Sequence, residues 1–95
     1  MIAGVRGTLE QIGDEWIHIN LSGLIFQVLV PGALIDKLGP VGEGIHLFTH
    51  LRIRDEQPVL YGFNTQIELE LFQMLLSVSG VGPRIALGLI SSLGV

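Results

Sequence analysis

Hydrophobic and polar residues alternate with a period of two over Glu15 to Leu21 and Gly44 to Arg54, and after position 63 the pattern changes to helical spacing. Ile2 to Gln11 reads as a first strand, with bends or close backbone approach at Gly4 and Gly7. Gly13-Asp14 and Ser22-Gly23 mark turns. Between them, Ile17, Ile19 and Leu21 face one way, and Trp16, His18 and Asn20 the other. Leu24 to Val30 is almost continuously apolar, which predicts a strand covered on both faces. Pro31-Gly32 ends it, and Ala33 to Leu38 suits one helical turn before Gly39-Pro40. Gly44 to Arg54 alternates over a long strand. Ile45, Leu47, Thr49, Leu51 and Ile53 lie on one face, and His46, Phe48, His50, Arg52 and Arg54 on the other. Asp55 to Pro58 is a turn, and Val59 to Phe63 a last strand. Five short strands, with a small helix before the fourth, predict a five-stranded OB-fold barrel over residues 1–63.

Residues 64–95 follow another rule, and predict a helix-hairpin-helix segment, so the fold class is mainly β with α. Thr65-Gln-Ile-Glu68 is a capping box: the threonine hydroxyl accepts from the glutamate amide, and the glutamate reaches back to the threonine amide. Ile67, Leu71, Phe72, Met74, Leu75 and Leu76 then recur at helical spacing as far as Ser77 to Ser79. A second helix begins at Pro83, with Ile85, Ala86, Leu89 and Ile90 on its apolar face. Gly88 inside it predicts close packing, because glycine costs up to about 1 kcal/mol against alanine there. So apolar a pair needs a surface to cover it: the barrel, another copy, or a further domain.

Composition narrows the function. The chain has 95 residues, 48% of them hydrophobic and 15% charged, so part of the apolar excess suits burial between subunits. The net charge of −4 excludes a broad electrostatic nucleic-acid surface, and any such contact has to be local. With no cysteine there are no disulfides or thiolate metal sites. No apolar run approaches the roughly 20 residues of a membrane span. With no signal peptide visible either, the expected compartment is the cytoplasm.

The sharpest local chemistry lies in Gly80-Val81-Gly82-Pro83-Arg84. Two glycines permit a tight turn and close approach, and proline suits the first helical position. The helix N-terminus offers amides and partial positive charge to an anion, and Arg84 adds a guanidinium. The same pentapeptide also serves as a plain connector, and the residues alone leave both readings open. Asp55-Glu56 alone reads as a solvated acidic turn. Arg52 and Arg54 beside it either offset that charge or meet DNA. His18, His46 and His50 lack the spacing and partners of a metal site. Trp16 and Tyr61 read as packing or subunit contacts, and no arrangement suggests catalysis, a cofactor or a nuclease metal pair.

The chain as a whole resembles the N-terminal half of the RuvA family of Holliday-junction subunits. The matching residues are Met1-Ile2, Arg6-Gly7, Phe48-Thr-His50, Arg54-Asp-Glu56, Leu60-Tyr-Gly-Phe-Asn64, Phe72, and Gly80 to Leu87. The resemblance implies an OB-fold domain, a middle domain with two helix-hairpin-helix motifs, and a C-terminal domain that binds the RuvB motor ATPase. It implies a homotetramer, or a pair forming an octamer, on four-way junction DNA in bacterial recombination, repair and the SOS response to DNA damage, with the RuvC resolvase as a further partner. Gly80, Val81, Gly82 and Arg84 then become phosphate ligands, Asp55 and Glu56 an acidic pin, and Arg54 an additional DNA contact. The second hairpin motif and the RuvB-binding domain have no counterpart here, so the chain is expected to be a fragment. The competing expectation is a structural OB-fold oligomerisation module without DNA binding.

Overall fold

Alternation in the first two-thirds of the chain builds a closed barrel. The computed structural model describes residues 2–93; Met1, Gly94 and Val95, which bound the two expected domains, lie outside the described residues. The strands are β1 (Gly4–Ile12), β2 (Trp16–Leu21), β3 (Leu24–Leu29), β4 (Gly44–Arg54) and β5 (Gln57–Phe63). Between β3 and β4 sits the one-turn helix α1 (Gly32–Ile35), and two longer helices follow, α2 (Gln66–Leu76) and α3 (Pro83–Leu93). The strand order around the barrel is β1-β2-β3-β5-β4, with β4 closing onto β1. All pairs are antiparallel except β3 with β5, where Val28 lies opposite Leu60 and Leu29 opposite Tyr61. Five strands in this closed order, with a helix between the third and fourth, form an OB-type barrel.

The inward residues of each strand fill the interior. Val5, Leu9, Ile17, Ile19, Val28, Val30, Leu47 and Leu60 form one buried cluster, and Leu34 of α1 joins it. Each large aliphatic side chain so buried contributes about 1.5–3 kcal/mol. Thr49 is the polar member of the β4 inward row, and its hydroxyl donates to the Ile2 carbonyl at 3.1 Å.

A second buried cluster lies on the outer face of β5. Tyr61 and Phe63 meet Leu69 and Phe72 of α2 and Ala86, Leu87 and Ile90 of α3. Phe72 lies 4.8 Å from the Phe63 ring centre and 5.1 Å from that of Tyr61. The helix pair packs one side on the barrel, and Ile67, Met74, Ile85 and Leu89 stay exposed. Thr65 caps α2, accepting from the Glu68 amide at 3.2 Å. The returning bond differs from the expected box: the Glu68 carboxylate accepts from the Thr65 hydroxyl, at 2.9 Å, rather than from its amide.

Three local expectations are corrected. Strand β3 is not covered on both faces along its length: on its outward side Ile25 is 51% exposed while Leu29 packs against the second cluster, and Leu24 is 65% exposed where the strand leaves the turn. The buried face of α3 is Pro83, Ala86, Leu87 and Ile90, while Ile85 and Leu89 are exposed. The helix is rotated from the predicted face because Leu87 enters the second cluster. A Cβ on Gly88 would meet nothing within 4 Å, so close packing does not explain that glycine.

Candidate nucleic-acid interface

Strands β4 and β5 are joined by Asp55 and Glu56 alone, with Arg54 paired to Gln57 across the turn. Both turn residues have positive φ, 51° and 65°. A two-residue loop of this kind is a type I′ turn, which favours Asn-Gly or Asp-Gly. Asp55 suits its position, whereas Glu56 stands where glycine is favoured. A side chain in the left-handed region costs roughly 1–2 kcal/mol. The tip thus carries two exposed carboxylates at a conformational cost.

The hairpin between α2 and α3 is wound by short backbone bonds. The amides of Ser77, Val78 and Val81 donate to the carbonyls of Met74, Leu75 and Val78, at 3.1, 3.0 and 3.1 Å. Gly80 turns the chain with φ 85°, a conformation that suits glycine. Val81 has its amide committed and its side chain half-buried against the second cluster. The amides of Gly80 and Gly82 make no backbone hydrogen bond among the described residues. The Ala86 amide donates to the Gly82 carbonyl at 3.0 Å, which leaves Arg84 and Ile85 with amides ahead of the helical ladder. Of the four residues singled out at the hairpin, Gly80, Gly82 and Arg84 therefore keep uncommitted donors.

A groove of about 360 Å³ runs between barrel and hairpin. Arg54 from the end of β4 and Arg84 from the first turn of α3 both line it. Neither guanidinium has an ion-pair partner among the described residues. The opposing charge comes from Asp14 and Glu15 of the β1–β2 turn. Trp16, Leu29, Tyr61, Pro83 and Leu87 complete the lining. The indole of Trp16 lies over Gly13, where any Cβ would overlap it. The structure thus unites Arg54 with Arg84 and sets the acidic turn one residue beyond Arg54. Sequence reasoning missed Asp14 and Glu15, because no linear motif joins a β1–β2 turn to a helix start 70 positions later.

The three histidines are dispersed. His18 stacks at 4.7 Å on Trp16 and bonds Gln27, and His46 stacks at 5.0 Å on Phe48. His50 meets Phe72 edge-on and Gln73 by a 3.3 Å hydrogen bond. Burial, and secondarily the Arg52 charge, lower the His50 pKa from its ordinary value. No group of three metal-ligating side chains occurs among the described residues.

The model of a known family, the RuvA N terminal domain, matches residues 1–62. The chain belongs to the RuvA N-terminal domain family. Its relatives include the Holliday junction branch migration complex subunits RuvA of three bacteria. That of Symbiobacterium thermophilum is 41% identical over 92 residues, covering 97% of this chain and 45% of the relative. That of Thermomicrobium roseum is 46% identical over 91 residues, covering 96% and 48%. That of a Thermoanaerobacter species is 40% identical over 95 residues, covering 100% and 51%. The chain spans about half the length of these curated RuvA relatives, and the family model ends just before Phe63, where β5 leaves the barrel.

Proposed function

We propose that this chain is the junction-facing part of a non-catalytic, structure-specific DNA-binding subunit. Its ligand is the four-way (Holliday) junction, and its role is to support branch migration by the RuvB motor in bacterial recombination and repair. The observation that carries this reading is the groove lined by both Arg54 and Arg84, with Asp55-Glu56 directly beyond it. Guanidiniums and amides hold phosphate oxygens without reading bases, which suits arms that slide. The acidic tip repels phosphate, so it opposes continuous duplex and favours an open crossing. The names of the relatives, Holliday junction branch migration complex subunits, support the same reading.

The described residues divide the work. Gly80, Gly82 and Arg84 hold one strand, Val81 shapes the turn, and Arg54 adds a contact beside the pin formed by Asp55 and Glu56. Residues 1–63 supply the barrel, oligomer contacts and pin, and residues 64–95 the first hairpin motif. Exposed apolar residues, among them Leu24, Ile25, Ile67 and Met74, favour assembly into a tetramer or octamer in the cytoplasm. RuvB, and RuvC beside it, are partners of the whole protein.

A gel shift with four-way junction and linear duplex in the full-length background tests the proposal. Arg84→Glu should abolish junction binding, and wild-type affinity should fall with salt at a slope near −0.9 per phosphate held. Equal binding by Arg84→Glu would sink it. The net charge of −4 favours a second reading, an oligomerisation module without DNA contact. Absence of any junction shift, with assembly retained in sedimentation, would select that reading.

A further inference from the structure

We propose that the groove between barrel and hairpin is a seat for one unpaired nucleotide of a DNA strand, selective for a base with an exocyclic amino group. The inference rests on the DNA-binding reading above and adds a base site to it.

The groove's size, about 360 Å³, falls within the range of small-molecule sites. Its polarity is divided. Arg54 and Arg84 supply two uncommitted guanidiniums, and Asp14 and Glu15 supply carboxylates. A duplex backbone brings only phosphates, which the carboxylates repel. A single nucleotide brings both signs of hydrogen-bonding chemistry: a phosphate for arginine, and an amino donor for a carboxylate. Aspartate and glutamate accept in this way from cytosine N4. Thymine has no such donor.

Two further observations point to a ligand. Tyr61 is 3% exposed and lines the groove, yet its hydroxyl has no hydrogen-bond partner among the described residues. It is not among fully buried polar atoms left unpaired, so the hydroxyl keeps some contact with solvent. Buried tyrosine hydroxyls usually find a partner. Trp16 supplies an aromatic wall, and Gly13 leaves room for its ring where no other residue would. A base stacks favourably on such a ring whatever its identity. The β1–β2 and β4–β5 loops that frame the groove are those with which OB barrels bind oligonucleotides.

Trp16 is the one tryptophan of the chain, so its fluorescence reports the site directly. The probes are dCMP, dTMP, inorganic phosphate, and four-way junctions with and without one unpaired cytosine at the crossing. Saturable quenching by dCMP, several-fold weaker with dTMP and absent with phosphate, is expected. The junction with the unpaired cytosine should quench beyond the fully paired one. Tyr61→Phe, which keeps the ring packing, should weaken dCMP binding about fivefold, and Arg54→Gln about tenfold. Quenching by phosphate equal to that by dCMP would overturn the base site. Quenching by dCMP without any response to the unpaired cytosine would overturn the strand assignment. A protein that binds paired junctions while Trp16 ignores every nucleotide refutes this inference and leaves the junction reading intact. Nucleotide quenching without junction binding refutes that reading instead.

Discussion

The Ala33 amide, in the first turn of α1, donates to the Ser91 hydroxyl of α3 at 2.9 Å, across 58 positions of sequence. A serine in the last turns of α3 thus acts as a distant N-terminal cap for a helix of the barrel. The bond fixes the far end of α3, while Pro83 and Leu87 hold its near end. Ser91→Ala leaves a half-buried amide unpaired and should cost about 1 kcal/mol. Chemical denaturation should show a lower midpoint with an unchanged slope.

Phe72 is fully buried where α2 crosses β5 and contacts Tyr61, Phe63 and His50. Phe72→Ala should cost about 3–5 kcal/mol. The loss falls on the seam between helices and barrel, so hydrogen exchange of α2 and α3 should accelerate more than that of β1 and β2.

Glu56 has φ 65° at the exposed tip of the β4–β5 turn. Glu56→Gly relieves the side-chain penalty and completes the preferred Asp-Gly pair, so it should stabilise the fold by about 1 kcal/mol. It also removes one pin charge. Thermal melting should rise while the preference for junction over duplex falls. A higher melting temperature with unchanged preference would leave the strained glutamate without a role in discrimination.

His50 titrates below its ordinary value of 6.5, first because it is partly buried and then because Arg52 is near. The unfolded chain therefore binds this proton more readily than the folded one. By linkage, stability is greatest above pH 6.5 and falls as pH drops from that value through the lowered folded pKa. Melting scans should show this slope, and His50→Gln should flatten it while keeping a polar partner for Gln73.

Periodicity carried a great deal by itself. Alternation placed β2 and β4, and apolar runs bounded by turn signals placed the other strands, within a few residues, because each has one face inside a closed barrel. Thr65 and Glu68 announced the start of α2, because capping is a contact within one turn. The Gly80 to Arg84 turn and the Asp55-Glu56 tip were legible for the same reason, since each is local. What the chain left open depends on which surfaces meet. The solvent-facing side of β3 and the rotation of α3 were misread, since an apolar residue at an exposed position looks the same in sequence as one in a core. Only the packing of α3 into the second cluster, against α2, buried Leu87 and exposed Ile85. That same packing set Arg84 across a groove from Arg54, Trp16 and Tyr61, four residues drawn from four elements. No spacing rule connects them, because the distances that matter are set by barrel closure and by the helix–strand seam.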